Sequence, residues 1–368
     1  MNNFFKKVFQ FFGFFKLKIR DDLKKQSAEK KLFLTRVENN PIISPRIENS
    51  WESWQTFNPG VVLIDDKIHF IYRAIGEEGL SRFGYAFSED GLSISNQLSY
   101  PVFEHRIGSY VGNFSNFSLA SGGSFGGCED PRLVRVEGDD RIYMTYTACD
   151  GGLRLSLTSI AVEDFKKGLW RWAPTRMISP PGQVHKNWVI FPEKIGGKYA
   201  ILHSISPELK IDYRESLDFS SEEYIESYYS SATEQRKDCW DGWVRGAGAP
   251  PIKTRSGWLL FYHAMDEKDP GKYKVGAMLL DLKDPTQILN RCSNPVLEPA
   301  KDFENNGYKS GVVYVSGAVV KDGTLFVYYG ASDSYVAVAT ANLDEFIDHL
   351  VRFDEKPLLK KRGVKKNK

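Results

Sequence analysis

The chain has 368 residues, of which 42% are hydrophobic and 14% aromatic, which is enough for the core of one large globular body. Its net charge of +2 is unevenly distributed: residues 1–25 carry +5, residues 355–368 carry +6, and the body between them carries −9. An acidic body excludes nucleic acid as a partner along its own surface, whereas basic ends suit an anionic membrane face or an acidic partner.

Residues 1–30 are predicted to form a basic amphipathic helix followed by a polar linker. On a helical wheel its lysines lie opposite an apolar stripe of Phe4, Phe5, Val8, Phe9, Phe12, Phe15 and Ile19. The segment is too short and too charged to span a bilayer, and no small-residue cleavage site marks a secretory signal. Two uses stay open: packing on the body or on a second subunit of a homo-oligomer, or peripheral contact with the inner face of an anionic membrane.

A repeat runs through the rest of the chain. Five times an apolar run, a tight polar turn and a second apolar run recur, and the central residues of the second runs lie 74, 57, 60 and 66 positions apart. The second runs contain the triplets Ile71-Tyr72-Arg73, Thr145-Tyr146-Thr147, Leu202-His203-Ser204, Tyr262-His263-Ala264 and Tyr328-Tyr329-Gly330. Self-similar hairpins at such a period indicate a radial or stacked array of sheets.

A further strand pattern follows most of these hairpins, so that three to four short strands make one unit. Units of about 60 to 70 residues would occupy positions 50 to 345 as five propeller blades, and radial closure would protect the sheet edges. The predicted fold class is therefore all-β, a five-bladed β-propeller, with a catalytic domain over residues 31–350 and a basic tail over 351–368. A β-sandwich is the alternative, but it does not explain the five-fold recurrence.

No metal or organic cofactor is predicted. The six histidines lack ligand spacing, and no glycine-rich phosphate loop leads into a helix. The four cysteines, Cys128, Cys149, Cys239 and Cys292, show no CxxC spacing. They are interpreted as reduced thiols, which predicts a cytoplasmic protein.

Candidate functional residues stand at the start of each predicted inner strand, where the loops of all blades would converge. Polar or turn-forming groups recur there about 13 to 17 residues before each triplet centre. They are Asn58-Pro59-Gly60, Glu129-Asp130-Pro131-Arg132, Lys186-Asn187-Trp188 and Gly248-Ala249-Pro250-Pro251. We expect these groups to lie at similar depths around one pocket.

The same stretches resemble glycoside hydrolase family 130, which comprises mannoside phosphorylases and related β-mannosidases. The resemblance runs in order from about residue 40 to 348 and does not cover the two ends. It rests on FNPG (57–60), YRAIGEEGLSRFGYA (72–86), GGCEDPRLVR (126–135), VIFPEKIGGKYAILH (189–203), GAGAPPIKT (246–254), GWLLFYHAMD (257–266), YKVGAMLLDLKDP (273–285) and YYGASDS (328–334). It implies a five-bladed propeller and cleavage of β-mannosidic bonds with inversion, with inorganic phosphate as co-substrate of the phosphorylases.

Asp130 is the predicted catalytic acid. Cleavage of a glycosidic bond needs an acid for the leaving oxygen and a nucleophile at the anomeric carbon. The resemblance makes Asp130 the sole catalytic acid, which in the phosphorylases acts through a sugar hydroxyl. Its neighbours Glu129 and Arg132 are predicted to contact substrate and to set its pKa.

The resemblance also assigns the remaining site residues. It places phosphate contacts at Arg73, Lys186, Asn187, His263 and Tyr273, and contacts with the mannosyl ring at Asn58 and Asp333. Cations and hydrogen-bond donors of this kind are what a phosphate dianion requires. The predicted partner is thus an oligosaccharide or glycoconjugate.

Two positions depart from the phosphorylase pattern. Ser204 stands where an arginine is usual, and Val244 where a lysine or arginine is usual. Arg245 can replace the second cation only if the strand end shifts, because neighbouring strand residues point to opposite faces.

Three readings follow from the sequence: phosphorolysis to mannose 1-phosphate, hydrolysis by water with Glu129 or Asp241 as base, and a non-catalytic sugar-binding propeller or a membrane-associated mannosyl transferase. Hydrolysis with inversion requires two carboxyl groups about 6.5 to 9.5 Å apart. Segments 100–125 and 205–245 are predicted loops that shape specificity.

Overall fold

The computed structural model describes residues 34–105, 122–149, 152–227, 236 and 239–353. Strands dominate these residues, as the alternating and fully apolar runs of the sequence predict, and the all-β class is confirmed. The predicted N-terminal helix lies outside the described residues, as does the basic tail beyond residue 353. Loop segment 106–121, residues 150–151, and most of 228–238 also lie outside them.

The strands form hairpins joined by short turns. In chain order they are β1 (Thr35–Arg36), β2 (Gln55–Ile64), β3 (Lys67–Ile75), β4 (Leu80–Ser88), β5 (Asn96–Gln97), β6 (Gly126–Arg135), β7 (Arg141–Cys149), β8 (Leu153–Ala161), β9 (Arg176–Met177), β10 (Val189–Ile190), β11 (Tyr199–Ser204), β12 (Lys210–Arg214), β13 (Trp243–Ala247), β14 (Ile252–Thr254), β15 (Gly257–Asp266), β16 (Asp269–Leu280), β17 (Ile288–Arg291), β18 (Val313–Lys321), β19 (Thr324–Ala331) and β20 (Tyr335–Asn342).

Helical segments are short and peripheral to the sheets. They are a 3₁₀ turn (Ser50–Glu52), α1 (Val162–Lys166), α2 (Asp302–Asn305) and α3 (Leu343–Phe353). Of the helical segments in the described part of the chain, only α3 exceeds two turns, and it packs Phe346, Ile347 and Leu350 into the largest core cluster. No helix among the described residues is long and apolar enough to cross a membrane.

Antiparallel neighbours account for nearly all strand pairing. The pairings give one group of β2, β3, β4 and β5, a second of β6 to β9, a third of β10 to β12, a fourth of β13 to β17, and a fifth of β18 to β20. A two-residue parallel pairing, Leu80 with Gly126 and Ser81 with Gly127, joins the first two groups into one sheet. The N-terminal β1 pairs with β20, so a strand from the beginning of the chain completes the last sheet.

The first strands of neighbouring groups approach each other closely, and glycine makes this possible. A Cβ atom on Gly60 would lie 2.7 Å from the carbonyl oxygen of Pro131, and one on Gly317 would lie 2.7 Å from that of Pro59. The Ser316 hydroxyl donates to the Pro59 carbonyl at 3.1 Å. Strand β2 is therefore held between β6 and β18, which brings the last group next to the first.

Candidate active site

Irregular backbone marks the same place in four first strands. The ladder register shifts within β2, β6, β13 and β18, which is the signature of a β-bulge, and bulges re-aim side chains next to functional sites. The shifts lie between Phe57 and Gly60, Glu129 and Arg132, Val244 and Gly246, and Val315 and Gly317. In the sequence these bulges are marked by Asn58-Pro59 and Asp130-Pro131 in the first two strands and by Gly246 and Gly317 in the other two.

Four polar site residues have left-handed backbone. The φ angles are 45° at Asn58, 53° at Asp130, 67° at Asn187 and 49° at Asp333. Asn and Asp tolerate this region better than other non-glycine residues, but each such position costs about 1–3 kcal/mol. The surrounding structure therefore holds these four side chains in place against a local preference for extended backbone.

These residues line one pocket of about 640 Å³. Its walls are Asn58, Arg73, Gly122, Asp130, Leu153, Gln183, Val184, Lys186, Asn187, Arg245, Tyr273, Lys309, Val312, Tyr314 and Asp333. Seven of the ten site residues predicted from the sequence are in this wall: Asn58, Arg73, Asp130, Lys186, Asn187, Tyr273 and Asp333. Glu129, Arg132 and His263 are not in it.

Asp130 is buried with one carboxylate oxygen held by two donors. Its Oδ1 accepts hydrogen bonds from Asn58 Nδ2 at 2.8 Å and from Arg73 Nη1 at 3.2 Å. Burial alone would raise the pKa of Asp130, but the charges of Arg73, Lys186 and Arg132, with the bond from Asn58, lower it to about 2. Asp130 is therefore a carboxylate at neutral pH.

Asp333 is the second carboxyl group of the pocket and behaves in the opposite way. Burial, together with the charge of Asp130, raises the pKa of Asp333 to about 6, although the charges of Lys309, Arg73 and Lys186 act to lower it. Two acidic groups in one pocket thus have separated pKa values. Such separation is typical of sites where one carboxyl carries a proton and the other a charge.

Glu129 lies behind the pocket wall and holds its two main cations. Its Oε2 accepts from Lys186 Nζ at 2.7 Å, and its Oε1 is 3.4 Å from Arg73 Nη2. Because Glu129 is fully buried, this pairing fixes where Arg73 and Lys186 direct their remaining donors. The predicted substrate contact of Glu129 stays a prediction, since the side chain faces the cations and not the cavity.

Arg132 is a buried strut between strands. Its guanidinium donates to the carbonyl of Asp130 at 2.5 Å, to the carbonyl of Gly248 at 3.0 Å, to Asn187 Oδ1 at 2.8 Å and to the hydroxyl of Tyr314 at 3.1 Å. The Tyr314 hydroxyl also donates to Asn187 Oδ1. Arg132 therefore acts on the site through Asp130 and Asn187, and its predicted contact with substrate stays a prediction.

His263 is fully buried behind Tyr314. Its ring stacks on that of Tyr314 with centroids 3.9 Å apart, and Nε2 lies 2.8 Å from the carbonyl oxygen of Val315. Burial, followed by the charge of Arg132, lowers the pKa of His263 to about 3, so the ring is neutral at physiological pH. The predicted phosphate contact at His263 stays a prediction, and the geometry gives it a role in supporting Tyr314.

Three charged or aromatic residues of the pocket wall are not among the predicted site residues: Arg245, Lys309 and Tyr314. Lys309 Nζ lies 5.2 Å from the centroid of the Tyr273 ring, a cation–π arrangement. Nothing local distinguishes Lys309 or Tyr314 from other surface lysines or strand tyrosines. For Arg245 the sequence leaves the role open, because this residue can replace the missing cation only if the strand end shifts.

Among the described residues no group of three or more His, Cys, Asp or Glu side chains could hold a metal ion. All four cysteines lie among the described residues and are free thiols there. Three of them, Cys128, Cys149 and Cys292, are buried.

A pocket of carboxylates and cations, built on a bulged all-β scaffold, is the kind of site that carbohydrate-active enzymes have. Comparison with known proteins gives the family of this chain. The sequence profile of glycoside hydrolase family 130, described as beta-1,4-mannooligosaccharide phosphorylase, matches residues 25–352. The chain belongs to this family. It is thus a glycoside phosphorylase or glycosidase by class, and the phosphorylases of the family use phosphate and no further cofactor.

Two curated relatives come from Thermoanaerobacter sp. strain X514. A 1,2-beta-oligomannan phosphorylase is 32% identical over 85% of this chain and 98% of its own length. A beta-1,2-mannobiose phosphorylase is 33% identical over 83% of this chain and 96% of its own length.

Among solved structures, one with a TM-score of 0.68 and 26% identity covers 86% of this chain and 95% of its own. It is described as showing that the family contains glycoside hydrolases that target beta-1,2 mannosidic linkages in Candida mannan.

Proposed function

We propose that this protein cleaves β-mannosidic bonds by phosphorolysis with inversion and releases mannose 1-phosphate. The observation that carries the proposal is one pocket in which Asp130 lies among four cationic side chains, Arg73, Lys186, Arg245 and Lys309. A glycosidase needs a carboxyl group for the leaving oxygen, and an anionic nucleophile needs a concentration of positive charge.

The reaction balances without a base from the protein. An oxygen of HPO₄²⁻ forms a bond to the anomeric carbon on the face opposite the leaving group, the glycosidic C–O bond breaks, and the leaving oxygen takes a proton. The products are a sugar phosphate dianion and a free hydroxyl, so the proton that HPO₄²⁻ gives up equals the proton that the leaving group gains. Asp130 is the group that we assign to carry it.

To fulfil this role, Asp130 needs a higher pKa than its contacts with the protein give it. The low pKa is caused by Arg73, Lys186 and Arg132, which outweigh the effect of burial. A bound phosphate would neutralise part of this positive charge and add negative charge near Asp130, which raises the pKa of a carboxyl group. The acid is thus activated by the arrival of the nucleophile. Following the family resemblance, we propose that the proton passes from Asp130 through a sugar hydroxyl.

For the substrate we propose β-1,2-linked manno-oligosaccharides. Support comes from the two relatives that are 32% and 33% identical over most of both chains and act on β-1,2-linked mannan and mannobiose. The family profile is described as a beta-1,4-mannooligosaccharide phosphorylase, so β-1,4-linked substrates are the alternative that the experiment below must test.

We further propose that the five antiparallel groups are the five blades of a propeller and that the pocket lies at its axis. Support comes from the placement of β2 between β6 and β18 and from the bulges that bring residues of β2, β6 and β13 to one cavity. The Thr145 hydroxyl, which donates to the carbonyl of Trp188 at 2.8 Å, similarly links the second group to the third.

Hydrolysis is the second candidate, favoured by Ser204, Val244 and the hydrolases described in the family. It requires a base carboxylate in the pocket. Among the described residues, Asp130 and Asp333 are the acidic side chains in the wall. Asp241 instead accepts from the hydroxyl of Tyr262 at 2.7 Å and pairs with Arg291 at 2.9 Å in a buried cluster outside that wall.

The test is a comparison of products from β-1,2- and β-1,4-mannobiose with and without inorganic phosphate. We expect mannose 1-phosphate to form only with phosphate, and faster from the β-1,2-linked disaccharide. Free mannose released at a rate indifferent to phosphate would establish the hydrolase instead. If mannose 1-phosphate forms from β-1,4-mannobiose but not from β-1,2-mannobiose, the proposed specificity for the β-1,2 linkage is wrong.

A further inference from the structure

An exposed tyrosine stands beside the pocket and takes no part in the proposed chemistry. Tyr308 lies in the connection between α2 and β18, next in the chain to the wall residue Lys309. It is 53% exposed, so a large part of its ring is in contact with water. A tyrosine combines a large apolar face with a polar tip, which suits a surface where a polar ligand with apolar faces is bound.

The backbone around Tyr308 is fastened to the turn that carries Asp333. The N–H group of Tyr308 donates to Ser334 Oγ at 2.8 Å. The N–H group of Lys309 donates to the carbonyl of Ser332 at 2.9 Å. Two hydrogen bonds, to the residues on either side of Asp333, therefore hold the exposed tyrosine next to this carboxyl group of the pocket.

The ring of Tyr308 packs on another segment of the pocket wall. Gly123 has a φ of 100°, and a Cβ atom there would lie 2.8 Å from Cζ and 3.0 Å from Cε1 of Tyr308, so the ring lies directly against this glycine. Buried Gln55 ties the two segments together, because its Nδ-equivalent amide nitrogen, Nε2, donates to the carbonyls of Gly122 at 3.0 Å and Asp333 at 2.7 Å. The ring is thus placed at the rim of the pocket, on the side of Gly122 and Asp333.

The size of the pocket indicates which part of a substrate meets this ring. A cavity of about 640 Å³ is of the size that takes a drug-sized ligand, such as a disaccharide. The next sugar unit of a longer chain must therefore lie outside, at the rim. The C–H groups of a sugar form an apolar face that packs on an aromatic ring, while the hydroxyl groups at its edge stay hydrated.

We propose that Tyr308 stacks on the third sugar unit of a manno-oligosaccharide, counted from the end that is cleaved, and gives the enzyme a preference for chains longer than the disaccharide. The inference rests on the proposed cleavage of β-mannosides in this pocket, and it holds for phosphate and for water as the nucleophile. Tyr308 is far along the chain from the reacting bond of such a substrate, so it stabilises the bound ground state and the transition state equally. The effect of its loss is therefore expected in KM and not in kcat.

The experiment compares initial rates with β-1,2-mannobiose and β-1,2-mannotriose, at saturating phosphate, for the wild type, Tyr308→Ala and Tyr308→Phe. We expect kcat/KM of the wild type to be about 10-fold higher for the trisaccharide, the contribution of one stacking contact. Tyr308→Ala should remove most of this ratio by raising KM for the trisaccharide, whereas Tyr308→Phe keeps the ring and the ratio. Tyr100→Ala is the matched control, since Tyr100 is 50% exposed in the loop after β5 and outside the pocket wall.

Calorimetric titration of the trisaccharide onto Asp130→Asn, with and without Tyr308→Ala, gives a readout that does not depend on turnover. We expect the second substitution to weaken binding by about 10-fold. Thermal unfolding checks that the variants are folded; if Tyr308→Ala is not, Tyr308→Leu, which keeps apolar bulk but has no ring, takes its place.

A wild type that cleaves both substrates with equal efficiency, or a Tyr308→Ala variant that keeps the ratio of the wild type, would overturn the inference and leave the proposed function intact. Loss of the ratio in Tyr308→Phe would also overturn it, because the ring would then not be the contact. A wild type that cleaves neither manno-oligosaccharide, in the β-1,2- or the β-1,4-linked form, would overturn the proposed function, and the inference with it.

Discussion

Replacement of Asp130 by asparagine separates the chemistry of the site from its architecture. Asparagine keeps an oxygen that accepts hydrogen bonds from Asn58 and Arg73, and it fits the same left-handed backbone. It cannot carry a proton between phosphate and the leaving group. We therefore expect turnover to fall by about 10²- to 10⁴-fold, the usual contribution of a general acid.

The structure also gives the expected change in stability. The pKa of Asp130 is lowered from 3.8 to about 2, so the folded protein favours the carboxylate by about 2 kcal/mol. This stabilisation is present above pH 4 and is lost as the pH falls through 2. Asp130→Asn should therefore lower the free energy of unfolding by about 2 kcal/mol at pH 7 and by much less at pH 2.

Phosphate affinity should move in the opposite direction to activity. Loss of the Asp130 charge leaves Arg73 and Lys186 less compensated, so the pocket becomes more positive. We expect Asp130→Asn to bind inorganic phosphate more tightly than the wild type in calorimetric titration, while it forms almost no mannose 1-phosphate.

Asp140→Asn is the control, since it makes the same substitution in the exposed turn between β6 and β7. Full phosphorolysis by Asp130→Asn would refute the assignment of the acid. Weaker phosphate binding by the variant would refute the account of how charge is balanced in the pocket.

Three further predictions concern stability, positioning and the N-terminal segment. Because burial raises the pKa of Asp333 to about 6, ionisation of this carboxyl destabilises the fold as the pH rises from 4 to 6. In urea unfolding, Asp333→Asn should therefore be more stable than the wild type by up to about 3 kcal/mol above pH 6 and equal to it near pH 4. Tyr314→Phe removes a hydroxyl bonded to Arg132 and Asn187 and should cost about 1–3 kcal/mol of stability and raise KM for phosphate; unchanged values in both assays would contradict the positioning role. Deletion of residues 1–25, which carry +5, should abolish sedimentation with vesicles containing anionic lipid but not phosphorolysis, and a full-length chain that never binds such vesicles would disprove the membrane contact.

Much of the fold follows from local sequence patterns. Alternating and continuous apolar runs separated by Asp-Asp, Gly-Asp and Asp-Gly turns predict hairpins because side chains alternate along a strand and these turns favour left-handed backbone. Asp65, Asp66 and Asp322 do have positive φ angles, at 47°, 62° and 50°. The all-β class and the position of Asp130 within a strand were accessible in this way.

The site itself depended on tertiary structure. Ten candidate residues were named from spacing and resemblance, but only the packed chain separates the seven in the pocket wall from Glu129, Arg132 and His263, which lie behind it. Burial and the surrounding charges lower the pKa of Asp130 and raise that of Asp333. Both residues are aspartates, so their identity in the sequence does not predict this difference.

Arg245 shows the division most clearly. The sequence places an arginine one position from where a cation is usual, and strand alternation alone turns it away from the pocket. The Nδ2 of Asn187, 58 positions away along the chain, donates to the Arg245 carbonyl at a bulge in β13, where the regular alternation of the strand is interrupted. The sequence by itself determined which residue types were present and which strands they occupied; their directions and charges were decided by contacts between residues far apart in the chain, because backbone register and burial are properties of the packed structure.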